Sequence, residues 1–186
     1  MGFRPVAFAL AIVIALAPRT LVAQDPETKP PPASKLRSVL MLAPAREPGK
    51  RMIVTGTLFS LDGTPQPRRR IGVYQTDATG NYGRDPRIPR WARLNGWLVT
   101  DSLGRYEIRT IRPGAYPGGG TPEHIHFVIE ASRGLDGSTE LRFEDDPLVS
   151  RTEIEASRHE GRFGTARPVV RGKDGVLRVE RDLRSR

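Results

Sequence analysis

The chain has 186 residues, no cysteine and a formal net charge of +9. That length suits one domain with a real hydrophobic core, and the absence of cysteine excludes disulfide staples and lipid attachment at a cysteine. The positive charge comes chiefly from arginines spread from Arg37 to Arg186 among acids, with no dense stripe or aromatic stacking platform, so it does not describe a nucleic-acid surface.

In chain order, Arg4 precedes an almost uncharged apolar run from Val6 to Pro18, followed by Leu21-Val22-Ala23. This is the pattern of a signal peptide over residues 1–23, and Arg19 interrupts it well short of the ~20 apolar residues of a membrane span. The expectation is a periplasmic or secreted protein with no membrane association after cleavage. Removing that segment takes two arginines and no acid, leaving +7. Residues 24–51, centred on Pro30-Pro31-Pro32, read as a Pro-rich linker or N-terminal arm, and the folded domain is expected over 52–186.

From Met52 onward, short β-rich runs alternate with turn clusters. Strands are expected over 52–59, 71–76, 97–100, 105–111, 124–131, 140–143 and 176–180. Asp62-Gly63, Pro113-Gly114, Asp136-Gly137 and Asp174-Gly175 supply turns between them. Such spacing predicts an all-β fold, an antiparallel β-sandwich with long loops, and one short helix within 147–158. Residues 76–96 form a long irregular insertion rich in aromatics and arginines, of the kind that carries function.

Two histidines, His124 and His126, stand two positions apart in an expected strand. Alternation puts both on one face and Ile125, Phe127 and Ile129 on the other, apolar face. The histidines therefore project away from the core. A His-x-His pair is consistent with metal binding, and equally with an incidental pair, so the context has to decide. Tyr82 and Tyr116 lie beside glycines in turns, where packing explains a tyrosine poorly. Tyr74 and Tyr106 lie in strand-like runs and read as packing residues. Asp145 and Asp146 read as solvated turn acids, and His159 as exposed.

Gly56-Thr57-Leu58, Asp62-Gly63-Thr64-Pro65, Tyr74 through Tyr82, Thr100 through Tyr106, Thr110 through Pro117, His124-Ile125-His126-Phe127 and Phe143 through Pro147 form an ordered series. Together they resemble the intradiol ring-cleavage dioxygenases, especially the protocatechuate 3,4-dioxygenase branch, over roughly residues 52–148. The resemblance implies a β-sandwich holding non-haem Fe(III) through Tyr82, Tyr116, His124 and His126, with Tyr116 also catalytic as the phenolate that leaves the metal and takes a substrate proton. It implies a small catecholic substrate opened with O2 to a muconate-type diacid. Trp91, Arg93 and Trp97 are candidates for lining the substrate pocket. The chain departs from the family pattern at Thr121, where an arginine is usual, and at Glu140, where a glutamine is usual.

A different class of protein shares several of these pieces. Transthyretin-like or carboxypeptidase-regulatory-like binding modules use the same glycine and aspartate turns without catalysis. His124, His126 and Tyr82 separate the two readings, because a purely structural module has no need of them. Nothing in the sequence decides whether the chains associate as a homo-oligomer.

Overall fold

The computed structural model describes residues 30–83, 92–131 and 134–185. Its strands are β1 (Val39–Met41), β2 (Arg51–Phe59), β3 (Arg70–Gln75), β4 (Leu94–Val99), β5 (Arg105–Ile111), β6 (His124–Ala131), β7 (Gly134–Phe143), β8 (Ala166–Arg167), β9 (Val170–Arg171), β10 (Leu177–Glu180) and β11 (Leu183–Arg184), with one α-helix, α1 (Arg151–His159). One sheet runs β1-β5-β2-β10-β9, with β11 also on β2, and the other runs β4-β3-β6-β7-β8.

Period-two alternation produces this arrangement. In β2, Met52, Val54 and Leu58 are buried, while Arg51, Ile53 and Thr55 turn outward. From the facing sheet, Ile71, Val73, Leu98, Ile125, Phe127 and Leu141 meet them in one continuous core. Each such side chain contributes about 1.5–3 kcal/mol when fully buried. The expected sandwich is therefore present, but its ladders are mixed. The central pairings β2–β5, β3–β4, β3–β6 and β6–β7 are antiparallel. By contrast β1 joins β5, β8 joins β7, and β10 and β11 join β2 in parallel, while β9 pairs β10 antiparallel.

Other elements differ in extent from the expected ones. The segment expected to be a linker or arm, residues 24–51, carries β1, and its Leu42 and Ala43 are buried in the core. Strand β4 begins at Leu94 and β7 at Gly134, three and six residues earlier than alternation indicated. The helix starts later, at Arg151, because Ser150 caps it: the Ser150 hydroxyl accepts from Glu153 N–H and the Glu153 carboxylate accepts from Ser150 N–H, a reciprocal capping box. His159 ends the helix exposed, as expected. Among the described residues no helix is long and apolar enough to cross a membrane. The leader-like residues 1–23 lie outside them.

The two sheets are joined at one end by a buried amide. Gln75, at the end of β3, is fully buried (0 % exposed). Its Nε2 donates to Ile111 O (3.0 Å) and Thr76 O (3.1 Å), while its Oε1 accepts from the Thr110 hydroxyl (2.8 Å). A residue that alternation alone would make apolar thus ties the exits of β3 and β5 together. Replacing it by leucine leaves those three groups without partners, so Gln75→Leu is expected to lower unfolding free energy by about 1–3 kcal/mol in urea titrations. An unchanged midpoint and slope would show that this link contributes nothing.

Candidate metal centre

The functional side chains hang from the outward face of the second sheet and from the loops that follow β3 and β5. In β6, Ile125, Phe127 and Ile129 enter the core, and His124 and His126 point the other way, as alternation requires. They are nevertheless buried, at 5 % and 9 % exposed. Beside them Tyr74 of β3, Val128 of β6 and Ala92 form a second, smaller apolar cluster against which Tyr82 packs. The entry to β6 is fixed from behind. Asp146, expected to be a solvated turn acid, is buried instead, and its carboxylate accepts from Glu123 N–H (2.6 Å) and Leu148 N–H (2.8 Å). Asp145 is the exposed member of the pair and binds Arg112, which also holds Glu123 and lies over the Phe143 ring.

The two tyrosine-bearing loops touch through backbone. Asp77 carries the first: its carboxylate accepts from the N–H groups of Thr79 and Asn81, and its carbonyl accepts from Gly80 N–H and from Gly114 N–H of the second loop. A Cβ on Gly114 would lie 2.6 Å from Gly80 N and 2.7 Å from Ala78 O, and one on Gly80 would collide with Ala115 O. Gly80 also holds a φ of +84°. Only glycine permits this approach, which places Tyr82 and Tyr116 side by side.

Four side-chain heteroatoms converge at that point. The Tyr82 and Tyr116 hydroxyls are in direct contact. Tyr82 Oη lies 2.8 Å from His126 Nε2 and 3.5 Å from His124 Nε2, Tyr116 Oη lies 3.2 Å from His124 Nε2, and the two Nε2 atoms are 2.9 Å apart. All four sequence-predicted residues are therefore brought together. His124 Nδ1 donates to Pro122 O (2.7 Å), which places its proton there and turns a lone pair on Nε2 toward the cluster. His126 stacks on Tyr74 with centroids 4.3 Å apart and rings nearly parallel. Tyr74 thus has a role beyond packing: it fixes the plane of an imidazole.

The electrostatics suit a cation-binding site. Burial, with the neighbouring Tyr116 hydroxyl, pushes the Tyr82 phenol far above its usual range, and burial raises Tyr116 as well. Burial, together with the adjacent His124, depresses His126 to about 4. At neutral pH His126 is an uncharged ring and both phenols keep their protons. Two oxygens and two imidazole nitrogens packed within hydrogen-bond distance, with Nε2 of His124 held as an acceptor, fit a hard or borderline transition-metal ion. Glu140 lies close by: a ligating atom from each of His124, His126 and Glu140 falls within 4.8 Å of the others.

Of the residues expected to line a pocket, Trp97 lies across Gly72 on the same outward sheet face as His126 and Tyr74. Arg93 is instead engaged by Glu47 through two bonds (2.8 and 2.6 Å). That pair fastens the arm to the 76–93 loop, and no sequence pattern pointed to it. Trp91 lies outside the described residues. Thr121, half-buried, stands three residues before His124 in the loop that enters β6.

The architecture and this cluster define an all-β sandwich with a tyrosine–histidine donor set at one end of its second sheet. A family model described as Dioxygenase matches residues 26–175, and the chain belongs to that family, the intradiol dioxygenases. It is 34 % identical over 114 residues to the protocatechuate 3,4-dioxygenase beta chain of Burkholderia cepacia, covering 55 % of this chain and 48 % of that one. It is 29 % identical over 119 residues to catechol 1,2-dioxygenase of Acinetobacter baylyi (54 % and 38 %) and 32 % identical over 134 residues to chlorocatechol 1,2-dioxygenase of Rhodococcus opacus (62 % and 52 %). The chain thus spans about half the length of the curated relatives it matches. Among solved structures, the fold is shared with the dioxygenase domain of a dioxygenase carbohydrate-binding protein fusion from Streptomyces sp. SirexAA-E (TM-score 0.60, 23 % identity, 80 % of this chain and 86 % of that one). It is shared also with an intradiol ring-cleavage dioxygenase from Tetranychus urticae (TM-score 0.60, 19 % identity, 88 % and 90 %).

The depressed His126 gives a test of the metal-free protein. The unfolded ring titrates near 6.5 and the folded ring near 4, so on acidification the unfolded chain takes the proton first. Stability is expected to fall as pH drops from about 6.5 to about 4, and His126→Gln, which has no such group, is expected to show a smaller fall over that window. Equal pH slopes for the two proteins in denaturant titrations would refute the depressed value.

Proposed function

We propose that this chain is an exported ferric intradiol dioxygenase that opens a small catecholic ring with O2 to a muconate-type diacid. The observation that carries the reading is the convergence of Tyr82, Tyr116, His124 and His126 at a single point, on a chain whose relatives are named as catechol and protocatechuate dioxygenases. Those four residues would hold the metal. Bound there, Fe(III) would supply the Lewis acidity that favours the deprotonated, electron-rich catecholate over the neutral catechol, the form that reacts with O2.

The chain's own residues account for the remaining requirements. Pro122 O holds the proton of His124 on Nδ1, and Tyr74 orients the His126 ring, so both imidazoles face the centre without needing to reorganise. The phenols keep their protons in the metal-free protein, and a trivalent ion reverses that balance. Tyr116 is followed by Pro117 and then Gly118, Gly119 and Gly120, three positive-φ glycines with open space around them. Its loop can therefore shift while Tyr82 stays fastened at Asp77. On this basis Tyr116 is assigned as the phenolate that gives way to substrate and takes its proton. Export of the chain rests on the leader-like residues 1–23 alone, and the mass of the mature protein recovered from the periplasm or medium tests it.

Loading the metal is expected to release about two protons, measured by pH-stat titration in weak buffer, and Tyr82→Phe is expected to release one fewer. The iron-loaded protein is expected to show a visible tyrosinate charge-transfer band that shifts on anaerobic addition of catechol. Protein that remains iron-free and colourless after reconstitution would sink the proposed function. Tyr116→Phe is expected to fold normally and to lose catechol cleavage by roughly 10²-fold or more; full activity in that variant would remove Tyr116 from its assigned role.

A further inference from the structure

Glu140 stands directly opposite His126 in the β6–β7 ladder. Its two carboxylate oxygens are treated differently. Oε2 is clamped by the Arg142 guanidinium, from Nη2 at 3.0 Å and Nε at 3.2 Å. Oε1 is directed at Nδ1 of His126, 3.6 Å away. That separation is just outside hydrogen-bond reach.

The clamp is itself anchored. Arg142 faces His124 in the same ladder and donates its remaining nitrogen, Nη1, to Glu153. Glu153 is the acid of the capping box that starts α1. From the other side, the buried Arg181 donates to the Glu140 carbonyl (3.3 Å) and to Thr139 Oγ1 (3.1 Å), holding the strand in place. A carboxylate that was merely a solvated strand residue would need neither support. With Tyr74 stacked on one face of His126 and Glu140 at its Nδ1, that ring is constrained in plane and in proton position.

We propose that Glu140 is a positioning residue for His126: it takes the Nδ1–H, fixes Nε2 as the lone-pair nitrogen facing the tyrosines, and so matches His126 to His124, whose Nδ1 proton is held by Pro122 O. His124 is set by a backbone carbonyl and His126 by an anionic side chain. The second arrangement adds negative charge beside the donor set and strengthens it as a cation site. This inference rests on the metal-site reading, but its first readout does not require metal.

The chain has three histidines, so imidazole resonances are assignable by His126→Gln and His159→Gln controls. In 15N-labelled metal-free protein at neutral pH, long-range 1H–15N correlation is expected to show His126 with its proton on Nδ1. Glu140→Gln, whose amide oxygen can also accept, is expected to keep that tautomer. Glu140→Leu is expected to convert His126 to a mixture and to weaken cobalt(II) binding 10- to 100-fold, with Arg142→Gln falling between. Should Glu140→Leu not fold, Glu140→Ala carries the comparison, and an unchanged tautomer with unchanged cobalt affinity in that variant would overturn the proposal. Wild-type protein with the proton on Nε2, or a leucine variant with unchanged tautomer and unchanged cobalt affinity, would overturn the proposal. A tautomer that shifts as expected in a protein that never binds iron would uphold the positioning role and refute the ferric reading, so the two failures are distinguishable.

Discussion

Everything at the tyrosine–histidine cluster depends on one close approach between two stretches of backbone. Gly80 lies against Ala115, Gly114 lies against Ala78 and Gly80, and the Asp77 carbonyl accepts a hydrogen bond from each of the two glycines. A single methyl group at either glycine would force the loops apart. Their contact sets the Tyr82 and Tyr116 hydroxyls next to each other, and only then can both meet the imidazoles rising from β6. The buried Gln75 link and the Thr76 hydroxyl, which donates to Gly114 O (2.8 Å), brace the same corner from within the sandwich. The junction between the loops is thus closely packed, whereas the glycine run after Tyr116 has open space beside it.

Strand β6 shows how one segment can serve packing and chemistry at once. Its period of two sends Ile125, Phe127 and Ile129 into the core and His124 and His126 to the opposite face. The apolar residues hold the strand's height and twist against the other sheet, and the histidines inherit that precision. Lateral neighbours then act on the second imidazole, Tyr74 from β3 by stacking and Glu140 from β7 by charge. The outward face would be solvent-exposed in a bare sandwich. Tyr82 and Ala92 pack over it beside Tyr74 and Val128, and burial there disfavours the charged forms of the His126 ring and of the Tyr82 phenol.

How much of this could be read from the chain follows from the range of the interactions involved. The core strands were legible because alternation is local, and so was the opposition of His124 and His126 to Ile125 and Phe127. The four-residue constellation was legible only as an ordered series, since nothing within Tyr82 or Tyr116 taken alone signals a ligand. Strands β1, β8, β9 and β11, of two or three residues, carry no period and exist because a neighbouring edge accepts them. The first six residues of β7, Gly134 to Thr139, read as non-strand because they are polar and glycine-bearing, and Asp136-Gly137, expected to make a turn, lies within the strand instead. Asp146 was misjudged for a related reason: a turn acid looks solvated unless the N–H groups it serves, here those of Glu123 and Leu148, are known to be buried beside it. The Glu47–Arg93 bridge joins residues 46 positions apart, and no spacing rule reaches that far.

The parallel ladders carry a consequence for how the chain reaches its native state. Strand β2 receives β5 along one edge, and β10 and β11 along the other, pairing Leu177 with Met52 and Leu183 with Leu58. Those partners are about 125 residues apart in sequence, among the most distant contacts the fold contains. Until residues 177–184 have been synthesised and have docked, a long central strand keeps an open, apolar edge. Loop closure over such a span is slow, and an open edge invites pairing with the wrong strand, including one from another copy. The last eight residues of that ladder therefore act as a closing seam, and the interval before it shuts is the period in which the nascent protein most needs protection from its neighbours.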